Sequence, residues 1–515
     1  MNARFNLLDE PWLPVRRLDG RVEEVGLLEL FARAGELSGL AETDPPNLIA
    51  QYRLLLAIFH RALSQGQVQW RLRDMAGYYR DGLPVERIHG YLEQWRERFF
   101  LFHPESPFMQ VAALAAAEET RDKTKPWTQI ALSSSTGNAP VVFDHAVDTL
   151  PIAIAAPRLL RQLLGFLQFT PGGLVKTLRD SDKAGALANT AAAMPQGDTL
   201  AQTLCLALHP VSADMGRDLP TWEKGPLAIS ALKGEPTLAT GPNDRYTRLS
   251  RAVLLLSEGD DLAVERIRFA AGLALADDEH APDLMASYRM GSNGMVRLSF
   301  TEGRALWRDL ATFLPDAGGK HALPAAVLSW AEKLREQVGQ TAAMPILVAG
   351  LASDQAKLLR WRAERFVLPC RLLEQAEAAD ELRDFLRRSE EDFSGLRQAA
   401  TTLLARSMPD ESHKDTRSRA RTLLDNGPAA ALYFSALERQ LPRLLDLIGE
   451  ARLDEAEAHW NDARHAALEQ AWAAVCRQSG TTAKALRAQA RAEPVYRALL
   501  KPLRPQSSVE EQVHV

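Results

Sequence analysis

Cysteine is scarce in this sequence, with three residues in a chain of 515. Cys205, Cys370 and Cys476 are odd in number and far apart, so they provide neither a disulfide framework nor the closely spaced pairs of a structural zinc site. Such scarcity is typical of proteins that fold in a reducing compartment, and the sequence predicts a cytoplasmic protein. A chain of this length can bury a large core without disulfides.

Long hydrophobic runs are missing as well. No stretch approaches the roughly 18 apolar residues that a membrane-spanning helix needs. The longest candidate, residues 150–167, is interrupted by Pro151, Pro157, Arg158 and Arg161. Residues 1–10 carry charges where a signal peptide would be apolar. The sequence therefore predicts neither a membrane partner nor export.

Familiar catalytic motifs are also absent, including GxxxxGK[ST], a GxGxxG that follows a strand, HExxH and GxSxG. The densest group of metal-binding residue types is Asp277-Asp278-Glu279-His280. Consecutive side chains do not converge on one ion, and hard-cation sites usually space their ligands by two residues, so an acidic surface turn is the simpler interpretation. We predict no catalytic residues, no metal site and no cofactor, and a protein that is not an enzyme.

An overall excess of positive charge, typical of proteins that coat DNA, is missing too. The chain has 61 Lys and Arg against 66 Asp and Glu, a net charge of −5. Binding to a phosphate backbone depends on local basic surfaces, and one lies between Arg477 and Arg504. There Lys484, Arg487 and Arg491 follow at i, i+3 and i+7, so they share one helix face, which is either solvated or phosphate-binding. Smaller basic clusters are Arg245, Arg248 and Arg251, and Arg266 with Arg268.

The pattern of apolar residues predicts an α+β protein with two domains. Residues 1–368 mix short strands, turns and helices in a large mixed α/β domain. Residues 369–515 are rich in Ala, Leu, Glu and Arg, and they predict an antiparallel four-helix bundle. The predicted helices cover about 371–388, 392–407, 428–450 and 454–478, with a shorter one near 482–502. In the first domain, helical spacing predicts a helix over 46–64.

Two segments of the first domain are candidate binding elements. Pro171-Gly172-Gly173 lies in a stretch, 169–195, that is predicted to be irregular. It is either a turn or a loop whose backbone approaches a ligand closely, since glycine lacks a Cβ atom, and Lys176 is placed to reach a phosphate. Residues 345–350 predict a strand, with Asp354-Gln355 in the turn after it. Residues 358–367 then form either the second strand of a hairpin or a helix, and a side chain at a hairpin tip can separate base pairs.

Several motifs resemble one known family. The opening segment, Phe5-Asn6-Leu7-Leu8-Asp9-Glu10-Pro11-Trp12-Leu13-Pro14-Val15, resembles the start of the CasA-type large subunits of the type I-E CRISPR surveillance complex, Cascade. Three further segments follow in the expected order: Ser106-Pro107-Phe108-Met109-Gln110, Pro220-Thr221-Trp222-Glu223-Lys224 and Glu302-Gly303-Arg304-Ala305-Leu306-Trp307-Arg308-Asp309. The resemblance covers most of the chain, including the predicted bundle.

The resemblance implies a non-catalytic subunit of an RNA-guided complex. Such a subunit recognises the protospacer-adjacent motif (PAM) of double-stranded DNA through the minor groove, while guide pairing reads the remaining sequence. It then initiates strand separation and R-loop formation and helps to recruit a helicase–nuclease. The implied partners are the target DNA, the crRNA-containing backbone and small subunits of Cascade, and the helicase–nuclease effector.

The resemblance also assigns roles to residues. Gly172 and Gly173, flanked by Lys176, are similar to a glycine-rich loop beside the PAM. Gln355, preceded by Asp354, is similar to a glutamine wedge that splits the first base pair. Arg268, with Arg266 second, is the candidate for a basic side chain that enters the minor groove. Asn138, Phe143 and His145 are candidates in a loop that contacts the PAM-proximal complex. Lys484, Arg487 and Arg491 are candidates for a basic face that binds the non-target strand.

Two other classes of function remain open from the sequence. A helical scaffold that binds only other proteins is the main alternative, and binding to a PAM-bearing duplex would separate it from a PAM reader. A nuclease is disfavoured because metal-ligand patterns are missing. Metal-dependent cleavage by the purified chain would revive that interpretation.

Overall fold

The chain divides into two compact units. A computed structural model describes residues 3–64, 70–132, 151–210, 218–257, 262–277, 282–292, 294–354, 357–410 and 413–503, and for residues 174, 352–354 and 357–360 it describes the backbone alone. Unit 1 contains residues 1–304 and 319–367, and unit 2 contains residues 305–318 and 368–515. The predicted boundary lay near 368, with residues 305–318 assigned to the first domain.

Unit 1 contains short strands arranged in several small sheets. The strands are β1 Arg4–Asn6, β2 Leu13–Arg17, β3 Val22–Val25, β4 Leu37–Leu40, β5 Phe100–Phe102, β6 Lys125–Pro126, β7 Ile154–Ala155, β8 Gly173–Thr177, β9 Arg179–Asp182, β10 Ala192–Pro195, β11 Arg251–Ser257, β12 Ala263–Ala271, β13 Tyr288–Gly291, β14 Gly294–Arg297, β15 Ala322–Leu323, β16 Met344–Asp354 and β17 Lys357–Leu368. The sheet orders are β1-β5, β3-β2-β4, β8-β9, β10-β16-β17, β14-β13-β15 and β11-β12-β6, with β7 also paired to β12.

The α-helices of unit 1 include one that is almost entirely buried. They are α1 Leu27–Ala32, α2 Pro45–Ser64, α3 Leu72–Asp81, α4 Val85–Gln94, α5 Ala156–Phe169, α6 Leu200–Ala207, α7 Ile229–Leu232, α8 Pro242–Thr247 and α9 Ala326–Val338. The helix predicted over 46–64 is confirmed as α2, and every residue of it except Arg61 is buried. It packs against α4, α5, α8 and β16, so it forms the centre of the unit 1 core.

A buried polar network accompanies α2. His60 is 3 % exposed, and its Nδ1 atom lies 2.8 Å from Nδ2 of Asn243. Asn243 and Asp244 in turn donate their backbone N–H groups to the buried carboxylate of Asp218. Burial, assisted by the nearby charge of Arg61, lowers the pKa of His60 to about 4. The imidazole is therefore neutral in the folded protein at neutral pH.

Acidification from pH 7.5 to 5 should reduce the free energy of unfolding by about 2 kcal/mol through His60 alone. Between the ordinary imidazole pKa and the lowered pKa of His60, the unfolded chain binds a proton that the folded chain does not, so stability falls as the pH falls. Urea unfolding at both pH values should show this loss in the wild-type chain and a correspondingly smaller loss in His60→Gln. An equal loss in both proteins would contradict the prediction.

Unit 2 is helical. Its helices are α10 Cys370–Glu374, α11 Ala376–Ser407, α12 Thr416–Asp425, α13 Ala429–Glu438, α14 Leu441–Gly449, α15 Leu453–Ser479 and α16 Ala483–Leu500, together with a 3-10 helix at Leu306–Phe313. The predicted α+β class, with a helical C-terminal part, is confirmed. Across the part of the chain described here, no helix is both long and apolar enough to span a membrane.

Individual helix boundaries in unit 2 differ from the prediction. The two helices predicted over 371–388 and 392–407 are largely one helix, α11, because Ser389 does not interrupt it. The Ser389 hydroxyl donates to the Phe385 carbonyl oxygen at 2.9 Å and accepts from the Trp460 indole at 3.0 Å. Conversely, the single helix predicted over 428–450 is two helices, with Pro442 in the first turn of α14, where its missing N–H group is not needed. Helix α12 was not predicted.

Candidate nucleic-acid interface

The predicted glycine loop is part of a β-hairpin. β8 and β9 pair in antiparallel orientation, with Gly173 opposite Asp182 and Thr177 opposite Arg179. The prediction of an irregular stretch over 169–195 is therefore wrong for these residues. Lys176 and Leu178, on either side of Thr177, have φ angles of 60° and 69°, a left-handed conformation that is unfavourable for residues other than glycine. The Lys176 side chain is exposed at this tip.

The two glycines of the hairpin have different surroundings. A Cβ atom on Gly172 would lie 3.3 Å from the carbonyl oxygen of Asp182 and 3.3 Å from the nitrogen of Ala184, so this position is tightly packed. Gly173 is exposed, has a φ angle of +150°, and would meet nothing within 4 Å. Gly172 thus closes the base of the hairpin, whereas Gly173 leaves its backbone accessible to another molecule.

A buried ion pair fixes the base of the hairpin. Arg251 is 3 % exposed, and its guanidinium donates to the carbonyl oxygens of Pro171 and Lys183, both at 2.7 Å, so it holds both ends. The same group lies 3.2 Å from the fully buried carboxylate of Asp182, which also receives a 2.6 Å hydrogen bond from Arg179. Burial lowers the pKa of Arg251, and the charge of Asp182 opposes that shift.

The basic cluster Arg245, Arg248 and Arg251 is consequently not a surface for DNA. All three side chains are buried, with exposures of 9, 5 and 3 %. Arg248 pairs with Asp244 at 2.8 Å and donates to carbonyl oxygens of neighbouring segments, including that of Leu273. The spacing of these arginines in the sequence showed a cluster of positive charge, but it did not show that the cluster is buried, because Asp182 lies far away in the chain.

Lys183 is an exposed cation beside the hairpin, and it was not among the predicted residues.

The segment between β9 and β10, residues 183–191, connects the hairpin to β16. At one end, Gly185 and Leu187 donate to the carbonyl oxygens of Thr170 and Gln168, each at 2.8 Å. At the other end, a Cβ atom on Gly350 of β16 would lie 2.1 Å from the carbonyl oxygen of Thr190, a contact that only glycine permits. This connector therefore contacts both the end of α5, which leads to the glycines, and β16, the strand that leads to Gln355.

The hairpin alternative for residues 345–367 is confirmed. β16 and β17 are neighbours in the sheet β10-β16-β17, and Asp354 is the last residue of β16. β10 pairs with β16 only from Ile346 to Ala349, so the stretch from Gly350 to Asp354 continues without β10 as a neighbour. That stretch spans roughly 16 Å at strand geometry. Gln355 itself lies outside the described residues.

Arg268 and Arg266 lie side by side on one face of β12. Arg268 donates to the carbonyl oxygens of Thr120 at 3.2 Å and Arg121 at 2.8 Å, and it is partly buried. Its guanidinium is thus already engaged with the protein. Arg266 lies opposite Leu256 on β11 and opposite Pro126 on β6, in the middle of the sheet.

The predicted basic face of the C-terminal part lies on α16. Lys484 donates to the carbonyl oxygens of Met408 and Pro409, the latter at 3.1 Å, so it anchors the first turn of the helix. Arg487 and Arg491 are exposed on the same face. Arg497, further along, pairs with Glu493 at 2.9 Å. Two of the three predicted residues are therefore accessible cations, and the third has a structural contact.

Other predicted residues fall outside the described part of the chain. These are Asn138, Phe143 and His145 of the predicted contact loop, and Asp278, Glu279 and His280 of the acidic cluster. Among the described residues, no group of three or more His, Cys, Asp or Glu side chains is arranged to hold a metal ion.

Comparison with known proteins identifies the family. The family model of CRISPR-associated protein Cse1 matches residues 6–478. CasA/Cse1 of Thermus thermophilus is 35 % identical over 510 residues, which is 96 % of this chain and 97 % of the relative. The chain belongs to the Cse1 family. Because the family match runs from residue 6 to 478, it includes the glycine hairpin, β16–β17 and the helices of unit 2 from α10 almost to the end of α15.

Solved Cse1 structures have the same fold. The crystal structure of Thermus thermophilus CasA superposes with a TM-score of 0.83 at 33 % identity, covering 96 % of this chain and 99 % of that one. Thermobifida fusca Cse1, at 21 % identity, gives 0.80 over 97 % of this chain and 98 % of that one. A chain of a CRISPR RNA-guided surveillance complex, 20 % identical, gives 0.75 over 98 % of this chain and 100 % of that one.

Proposed function

We propose that this chain is the non-catalytic large subunit of a type I-E CRISPR surveillance complex, Cascade. In that role it recognises the PAM of double-stranded DNA through the minor groove, initiates strand separation and R-loop formation, and helps to recruit the helicase–nuclease that degrades the target. Its partners are the target DNA, the crRNA-containing backbone and small subunits, and the helicase–nuclease.

One observation carries the proposal beyond family membership. The connector, residues 183–191, contacts the base of the glycine hairpin and the β16 strand that ends at Asp354. A groove-contacting element and a strand-separating element must act on adjacent base pairs, so they have to be held by one rigid segment. The buried Arg251–Asp182 pair at the hairpin base supplies that rigidity on the glycine side.

The chemistry of the hairpin suits a minor groove. That groove is narrow, and its pattern of donors and acceptors hardly distinguishes A·T from T·A, so a protein reads it mainly by fit and by charge. An exposed glycine backbone at Gly173 allows close approach, and the exposed cations Lys176 and Lys183 complement the negative potential of the groove. Such a reader should tolerate several PAM sequences.

The wedge function is assigned to Gln355, which follows the end of β16. Opening one base step costs a few kcal/mol, so contacts with the protein have to stabilise the opened step until guide pairing begins. A glutamine amide both donates and accepts hydrogen bonds, so it can replace part of the lost base pairing. The long β16–β17 hairpin provides the reach.

Gln355→Ala should reduce R-loop formation about tenfold or more while initial capture of the PAM duplex changes less than threefold, because the amide is needed only after the first base pair opens. Complex assembled with the wild-type or variant chain would be tested for capture on a cross-linked duplex that cannot open, and for R-loop yield on an ordinary duplex. Complex without this chain gives the baseline.

The matched control is Gln337→Ala, an exposed glutamine in the last turn of α9. It should leave both measurements unchanged. An unchanged R-loop yield for Gln355→Ala would reject the wedge. Equal PAM-duplex affinity with and without this chain would reject PAM recognition and favour a scaffold that binds only proteins.

A further inference from the structure

A basic groove lies between α11 and α12 of unit 2. It has a volume of about 280 Å³. Its lining carries three guanidinium groups, two hydroxyls and one amide, contributed by Ser394, Arg397, Gln398, Thr401, Arg417 and Arg421. The lining is thus made of hydrogen-bond donors, with no acidic side chain among its residues.

Arg417 and Arg421 are the unusual members of this groove. They lie one turn apart on α12, both are exposed, and neither has a hydrogen-bond or ion-pair partner among the described residues. Like charges at i and i+4 destabilise a helix by a few tenths of a kcal/mol. Several less exposed arginines of unit 2 are paired with acids, as in Arg308–Glu390, Arg388–Glu457 and Arg464–Asp392. What distinguishes Arg417 and Arg421 from other exposed arginines is that both line one groove together with Arg397, and three guanidinium groups around one groove favour a ligand of opposite charge.

Arg397 of α11 is oriented by an ion pair with Asp425. Its Nη2 atom donates to both carboxylate oxygens of Asp425, at 2.8 and 2.7 Å, which orients the guanidinium and leaves Nε and Nη1 for another acceptor. On the preceding turn of α11, Glu391 is bound by Arg387 and Asp392 by Arg464. With Asp425 included, three arginines and one acid give the groove a local charge of about +2.

We propose that this groove binds phosphodiester groups of a nucleic-acid strand. Guanidinium forks match phosphate oxygens in pairs, and hydroxyl and amide side chains are common further donors to phosphate. Each phosphodiester of a strand has two charged non-bridging oxygens, and successive groups follow at short, regular intervals. Neighbouring phosphates can therefore contact the three guanidinium groups of the groove together, which favours nucleic acid over an acidic protein segment. Contacts of this kind hold a strand without reading its sequence. The site extends the proposed function, because it adds a contact with the nucleic-acid backbone that does not depend on the PAM.

The test uses the full chain and labelled 20-nucleotide DNA without a PAM, as a single strand and as a duplex, with fluorescence anisotropy at several salt concentrations. Arg417→Ala/Arg421→Ala should weaken binding about tenfold, and the slope of log affinity against log salt should fall by about 1.5, as expected for two lost phosphate contacts. The preferred form of DNA shows which strand supplies the phosphates. Arg417→Lys/Arg421→Lys should keep the slope and lose only part of the affinity.

The matched control is Arg439→Ala/Arg443→Ala, which removes the same charge from exposed positions elsewhere in unit 2 and should change affinity less than twofold. Equal losses in both double variants would show general electrostatics and overturn the proposal. It is also overturned if the wild-type chain fails to bind both DNA forms in 50 mM salt, or if polyglutamate of equal charge displaces the DNA as well as unlabelled DNA does. Because the DNA lacks a PAM, these results do not depend on the wedge or on PAM recognition.

Discussion

Replacing Asp182 with alanine should lower the free energy of unfolding of unit 1 by about 3–5 kcal/mol and weaken capture of PAM duplex by the assembled complex. The substitution leaves the buried Arg251 guanidinium and the partly buried Arg179 guanidinium without the carboxylate that they contact. It also removes the Asp182 oxygen that accepts from the Gly272 N–H group at 2.9 Å. The measurements are urea unfolding of the isolated chain and equilibrium binding to a PAM duplex.

Asp180→Ala provides the control for this prediction. Asp180 lies on the same strand, β9, but its side chain is exposed. Surface substitutions of this kind usually change stability by less than about 0.5 kcal/mol. If the two variants have the same stability, the buried pair does not hold the hairpin. If Asp182→Ala loses stability but retains full PAM affinity, the hairpin is not the DNA-reading element.

Asp283→Ala should cost a similar amount, about 3–5 kcal/mol, because it breaks the most deeply buried ion pair described in unit 1. Both side chains are fully buried, and the Arg53 guanidinium donates to both Asp283 oxygens, at 3.2 and 2.8 Å. Asp283 also accepts from the Met285 N–H group, and the Met285 carbonyl oxygen accepts from Ala193 of β10. The loss should therefore loosen the edge of the β10-β16-β17 sheet, which hydrogen exchange of Ala193 and its neighbours would reveal.

The double variant Arg53→Met/Asp283→Leu separates the cost of an unpaired charge from the worth of the pair. Apolar replacement of a buried ion pair is often neutral, so the double variant should be at least about 2 kcal/mol more stable than Asp283→Ala. A double variant no more stable than the single one would show that packing around Arg53, including its contact with the Tyr246 ring at 4.2 Å, dominates instead.

Local patterns predicted several elements because the information was local. Helical spacing located α2 and most of α15 and α16, and the apolar run from 345 followed by a turn located β16. The β8–β9 hairpin was missed because its sequence has no strand-like alternation. In the structure, Asp182 receives Arg179 of the hairpin itself together with Arg251 and the Gly272 N–H group, and the last two are distant in the chain.

The sequence by itself determined the family, the α+β class and the absence of familiar catalytic motifs, because these depend on the order and type of residues. Only the tertiary structure decided which charges are available to a ligand. Arg245, Arg248 and Arg251 form a basic cluster in the sequence, yet all three are buried. Arg417 and Arg421 drew no attention in the sequence, yet they face a groove without partners among the described residues. The availability of a charge depends on burial and on acids that are distant in the chain, and folding alone brings those together.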